Sequence, residues 1–208
     1  MKTKRVDTRR MVLLAMLSGI LLVMSFTPLG YLNIGPLAIS LNMIPVAIGA
    51  VALGPGGGAF LGAVFGITSC LQCVGIGGIS SMGVILFEIS PVLTIIQRFV
   101  TRVLAGWLTG VVYQQLRKLQ LRFGSYVAGF CAALFNTIFF MSALVLLFGH
   151  TPYLQDLIAG RNILVFILSF VGINALVELL AATVTVGVIC KALEKLNMIG
   201  GNGHASGN

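Results

Sequence analysis

The sequence predicts an all-α membrane protein. Six transmembrane helices form a single domain over residues 1–199, with both termini cytoplasmic (N-in, C-in), and residues 200–208 form a disordered tail. Three observations carry this. Of the 208 residues 58% are hydrophobic and only 9% charged, against about 25% charged in a soluble domain, and mean hydropathy is +1.05. The apolar residues fall in runs long enough to cross a hydrocarbon core about 30 Å thick. Ten of the thirteen Lys and Arg lie in three clusters just outside those runs: Lys2, Lys4, Arg5, Arg9 and Arg10; Arg117, Lys118 and Arg122; Lys191 and Lys195. With six spans all three clusters fall on one side, which is the positive-inside arrangement.

Taken in order, the first span covers residues 11–27 and follows a basic start. No small-x-small cleavage site follows it, only Met24-Ser25-Phe26-Thr27-Pro28, so it is expected to be a retained helix rather than a signal peptide. A polar loop, 28–36, leads to a second span, 37–53, which is short and contains Asn42 and Pro45; it is expected to bend or partly unwind. Residues 54–58, Gly-Pro-Gly-Gly-Gly, form a turn before a third span over 58–74. In the Gly/Ser-rich stretch 75–90, Ser90-Pro91 reads as a helix cap followed by proline at the first helical position. The fourth span therefore runs 91–113, with Val84 as an alternative start. The fifth runs 123–148, a polar loop occupies 150–161, and the sixth runs 162–190.

The net charge of +8 follows the membrane rather than a nucleic acid: no basic groove, RNA-binding aromatic motif or helix-turn-helix pattern accompanies it. The Gly54–Gly58 turn lacks the Gly-Lys-Ser/Thr of a phosphate-gripping loop, so the chain cannot hydrolyse ATP itself. Cys70-Leu-Gln-Cys73 stands without a second pair or a nearby His; zinc is not expected there, and a redox role stays open. Cys131 and Cys190 sit inside apolar runs as small hydrophobes. His150 and His204 are the only histidines, and no catalytic constellation is present; the chain is not expected to be an enzyme.

Small residues four apart let helices approach closely in lipid, where the hydrophobic effect does not drive association. Such pairs are Ala15/Gly19 in the first span, Gly58/Gly62/Gly66 in the third and Gly106/Gly110 in the fourth. Packing inside the bundle is the favoured reading for the third span; for the first, internal packing and presentation to another protein both stay open.

Ionisable groups at membrane depth cost about 2.5 to 3.5 kcal/mol each, so each needs a partner or a purpose. Arg98, Arg102 and Glu178 are such groups, with Glu88 at or just before the fourth span and Asn42, Gln97, Asn136 and Asn174 as neutral polar groups. At about 1.5 Å per residue, Arg98, Asn136 and Asn174 reach similar depth, with Arg102 and Glu178 one turn deeper. The layering suggests that Arg102 and Glu178 form a structural ion pair. Arg98 is then left to clamp a carboxylate through its planar fork, with Asn136 and Asn42 binding hydroxyl or amide groups. The competing reading is that Arg98 pairs with Glu178 or snorkels toward the interface.

The Ala15/Gly19 pair, the segment 27–69 and the six-span N-in layout resemble the substrate-binding S components of energy-coupling factor (ECF) vitamin transporters, over essentially the whole chain. The segment 27–69 is most similar to the pantothenate-type members. Their pattern T-P-x-G-x-I-x-I-G-P, then H/N-x-I-P-V-x-x-G-A, then L-G-P-x-x-G-A is met here by Thr27 to Pro36, Asn42 to Ala50 and Leu53 to Ala59. Leu32 departs from it, and Asn42 stands where some relatives have His.

The resemblance implies an S-component-like bundle in the bacterial plasma membrane that binds a small-molecule vitamin from outside and closes its outer loops, residues 28–42, over it. Substrate contacts are expected from Arg98, Asn136, Asn42, Gln97, Asn174, Tyr31 and Asn33. The chain would then dock through Ala15 and Gly19 on a T subunit with two ATPases and topple to release its ligand. ATP is used by those partners, and no cofactor or metal is expected in this chain. Pantothenate is the expected ligand; pyridoxine, hydroxymethylpyrimidine, folate or riboflavin are alternatives. A stand-alone secondary transporter is a further alternative, with Glu178 and Glu88 as its relay candidates.

Overall fold

The computed structural model describes residues 8–27, 30–33, 38–77, 80–121, 123–160 and 162–196. The tail 200–208 and the charges Lys2, Lys4, Arg5, Arg122 and Arg161 lie outside the described residues. The elements are α1 (Thr8–Phe26), β1 (Tyr31–Asn33), β2 (Ala38–Ser40), α2 (Met43–Leu53), α3 (Pro55–Cys73), α4 (Ser81–Ile89), α5 (Pro91–Lys118), α6 (Gly124–Phe148), α7 (Pro152–Ile158) and α8 (Ile163–Lys195). Five helices (α1, α3, α5, α6 and, over Asn174–Lys195, α8) are long and apolar enough to cross a membrane. The molecule is thus a helical membrane bundle.

The second expected span is a helix for only its last 11 residues, Met43–Leu53, about 16 Å of rise and too short to cross alone. Its first part is extended: β1 and β2 pair antiparallel, Tyr31 opposite Ser40 and Asn33 opposite Ala38. The expected unwinding is therefore present, as a hairpin feeding a half-length helix whose N-cap, Asn42, is fully buried.

Three boundaries differ from expectation. The turn expected over 54–58 contracts to Gly54, whose φ of +81° suits a residue without Cβ, and Pro55 already opens α3. Residues 81–89 form α4, capped by Ser80 and separated from α5 by the extended Ser90 (φ −158°), so Val84 belongs to a helix of its own. The loop expected over 150–161 contains α7: Thr151 Oγ1 accepts from Leu154 N (3.4 Å) and Pro152 occupies the first turn. Its Leu154 and Ile158 pack with Met82, Leu86, Leu144 and Phe148, an apolar pairing that the polar residues between them conceal in the sequence.

The small-residue faces of α3 and α5 meet. A Cβ added at Gly58 would lie 2.2 Å from Gly106 O, at Gly62 2.4 Å from Arg102 O, and at Gly110 2.5 Å from Pro55 Cα. The two backbones are in contact along this seam, so internal packing is the role of those glycines. Across it α2 and α3 bury Val46, Ala47, Ile48, Leu61 and Phe65 with Ala105 of α5. On α1 only Leu17, Leu21 and Ser25 are buried; Ala15 and Gly19 face outward, and nothing lies within 4 Å of a Cβ added at Gly19.

Gly62→Ala is expected to lower stability by about 1–3 kcal/mol, the usual cost of overpacking a filled contact, whereas Gly19→Ala leaves it unchanged. Thermal unfolding of the two variants in detergent checks this; an equal effect would remove the seam from its structural role.

Candidate functional site

Arg98 lies about 10 Å along α5 from Pro91 at helical rise and is only 4% exposed. Its Nη1 donates to Ser69 Oγ of α3 (2.9 Å) and its Nη2 to Ser80 Oγ at the start of α4 (3.0 Å), while Nε is buried without a hydrogen-bond partner. Room for the guanidinium is made by Gly83 of α4, where a Cβ would stand 2.5 Å from Nη2. Both polar partners are neutral hydroxyls, and no carboxylate among the described residues pairs with Arg98. The competing Arg98–Glu178 pairing is absent: Glu178 instead accepts the backbone N–H of Ser40.

Arg102, one turn further along, is buried differently. Its Nη1 donates to Arg98 O (2.8 Å), and its guanidinium carbon sits 4.5 Å from the Phe65 ring centroid and 5.6 Å from that of Phe140. Cation–π contact of this kind is attractive out to about 6 Å.

The neutral polar candidates are spread over α5 (Gln97), α6 (Asn136), the N-cap of α2 (Asn42) and α8 (Asn174). Gln97 is fully buried; its Nε2 donates to Phe140 O of α6 at 3.5 Å, and its Oε1 has no partner. Asn136, one turn before Phe140 on α6, is 8% exposed with an unpartnered Oδ1. Asn42, at the N-terminus of α2, has neither amide atom hydrogen-bonded. Buried polar groups are normally paired, whereas these three uncharged amides, like Arg98 Nε, keep open hydrogen-bonding capacity. Asn174 is also buried, one turn before Glu178 on α8, and it is partnered. Tyr31 and Asn33 lie in β1, with side chains outside the described residues, as are Pro28 and residues 34–37 of the expected lid. Glu88 is exposed on α4.

Ser69, Ser80 and Gly83, which position Arg98, were not legible in advance. Only Ser80 left a trace, as a cap-forming residue before an apolar run. The same side of α3 carries a polar tie to α1: Gln72 Nε2 donates to Ser25 O (2.7 Å), and Ser25 Oγ lies 3.1 Å from Thr68 Oγ1. Adjacent residues of α3 thus contact α1 (Thr68) and Arg98 (Ser69). The four cysteines are free, and Cys73 Sγ donates to Ser69 O (3.3 Å).

What this geometry offers is a desolvated cation and several amides deep between helices, suited to holding a small anion-bearing polar molecule. The family model described as "ECF transporter, substrate-specific component" matches residues 9–190. The chain belongs to the ECF transporter S-component family. The "Pantothenate transporter PanT" of Leuconostoc mesenteroides subsp. mesenteroides is 27% identical over 197 residues, covering 89% of this chain and 92% of that protein. The "Pantothenic acid transporter PanT" of Lactococcus lactis subsp. cremoris is also 27% identical over 197 residues, covering 88% and 92%. Family and architecture make this a multi-pass protein of the bacterial plasma membrane whose work is transport rather than catalysis.

Proposed function

We propose that this chain is the pantothenate-binding subunit of an ECF-type importer. Arg98 receives the substrate carboxylate, while Gln97, Asn136, Asn42 and Asn174 serve its hydroxyl and amide groups, with Tyr31 and Asn33 above. The observation that carries this is the buried Arg98 guanidinium with only neutral hydroxyl partners. An ion out of water is costly unless a counter-charge or metal accompanies it; a bound carboxylate supplies that charge through charge-assisted hydrogen bonds. Pantothenate joins one carboxylate to an amide and two hydroxyls, which suits a single arginine surrounded by amides. The names of the two relatives point to the same substrate.

In this reading α2 and its hairpin complete a sixth crossing, both termini are cytoplasmic, and the hairpin closes the site from outside. Arg102 and Glu178 form the structural charge pair below it. The exposed Ala15/Gly19 face of α1 docks on a T subunit carrying two ATPases, which use the ATP.

Arg98→Ala is expected to weaken pantothenate binding, measured by calorimetry on purified protein, about thirtyfold or more, since truncating one side of a buried charge contact costs about 2 kcal/mol or more. Undiminished affinity would end this assignment. Co-elution of a different vitamin from purified protein, read by mass spectrometry, would redirect it. Gly83→Ala pushes the flexible end of Arg98 and the Ser80 hydroxyl that holds it, so it is expected to weaken pantothenate binding in the same calorimetric measurement. Ala15→Arg is expected to abolish uptake of radiolabelled pantothenate in cells holding the T subunit and ATPases, with binding intact; full uptake without those partners would contradict the whole scheme.

A further inference from the structure

We propose that Glu178 is the anchor of the β1–β2 hairpin: its carboxylate, on α8, holds strand β2 down on the bundle and thereby positions the lid over the substrate. The inference rests on the reading of the hairpin as the outer cover of the site, and it gives Glu178 a task beyond balancing Arg102.

Strand geometry supplies the first part. Leu41 N donates to Gly30 O (3.0 Å) across the base of the hairpin. Successive backbone N–H groups of a strand point to opposite sides, so the N–H of Ser40 points away from β1 and is left for a partner outside the hairpin. That partner is the Glu178 side chain. It is a hydrogen bond between residues 138 apart in the sequence, and β2 packs on no helix other than α8 to a comparable extent.

Electrostatics supplies the second. A carboxylate accepting a backbone N–H makes one of the stronger hydrogen bonds available, more so at low dielectric.

The third part is what the anchored strand carries. The hydroxyl of Ser40 and both amide atoms of Asn42 are buried with no protein partner. Fixing the Ser40 backbone on α8 fixes where these open groups stand. Glu178 is thus a positioning residue: it acts on the substrate through Ser40 and Asn42.

Two substitutions separate anchoring from charge balance. Glu178→Gln keeps an oxygen that accepts from Ser40 N but loses the charge; Glu178→Ala loses both. Ser40→Pro removes the donor, together with the Ser40 hydroxyl, at a strand position whose N–H faces off the sheet, where proline is tolerated. The readout is hydrogen exchange of the hairpin amides in purified, ligand-free full-length protein, followed by mass spectrometry. Glu178→Ala and Ser40→Pro are each expected to speed exchange about tenfold or more, the factor carried by one lost hydrogen bond to a charged group; Glu178→Gln is expected to retain most of the protection. Equal acceleration in Gln and Ala would show that Glu178 serves only as a counter-charge and overturn the proposal, as would wild-type exchange in Ser40→Pro. Because no ligand is present, these outcomes stand apart from the identity of the substrate. Added pantothenate then reads the consequence: a faster dissociation rate in Glu178→Ala than in Glu178→Gln is expected, and equal rates would refute the link to the site.

Discussion

The backbone contact between α3 and α5 is the constraint on which the site depends. Where Gly58 meets Gly106 and Gly62 meets the carbonyl of Arg102, the two helices approach more closely than any side chain allows. Lipid offers no hydrophobic gain for this association, so it rests on van der Waals contact between smooth surfaces. Its effect on function is one of placement. Once Gly62 is against Arg102, the next two turns of α3 bring Phe65 over Arg102 and then Ser69 to Arg98. The register of one helix pair therefore decides the surroundings of both arginines.

Those surroundings differ in a way that separates their roles. Arg102 lies against two aromatic rings and a backbone carbonyl, each of which favours a cation. Arg98 has two serine hydroxyls; the Nε of both arginines lacks a hydrogen-bond partner. The hydroxyls orient the fork but do not neutralise it. In the proposed function Arg98 is the group that selects an anionic substrate, and the tie through Thr68, Ser25 and Gln72 connects the same stretch of α3 to the outward-facing helix α1.

Much of the architecture was legible in the sequence because membrane burial imposes a coarse, strong signal. Long apolar runs gave α1, α3, α5, α6 and α8 within a few residues, and Asn42 with Pro45 announced the broken second span. Ser90-Pro91 located the start of α5 for the reason the structure shows, an extended residue followed by a proline already fixed at helical φ. What escaped were features set by tertiary contact. Nothing local marks β1 and β2 as strands, since their pairing and the Ser40–Glu178 contact join distant residues. Helix α7 was hidden because its two core residues are spaced one turn apart among polar neighbours. In the site, buried ionisable and amide residues stood out by their rarity in apolar runs. Ser69, Ser80 and Gly83 did not, because small hydroxyls and glycines are common in membrane helices and acquire meaning only when Arg98 is seen between them.

The central claim is that an uncompensated arginine, rather than cavity shape alone, selects the substrate. It is tested most directly by comparing pantothenate with pantothenol, which replaces the carboxylate by an alcohol and keeps the rest of the molecule, in calorimetric binding to the purified chain. The account expects pantothenol to bind about thirtyfold more weakly or worse, as when one member of a buried charge contact is removed, and expects that gap to close in Arg98→Ala. Equal affinity of the wild-type protein for the two compounds would contradict it.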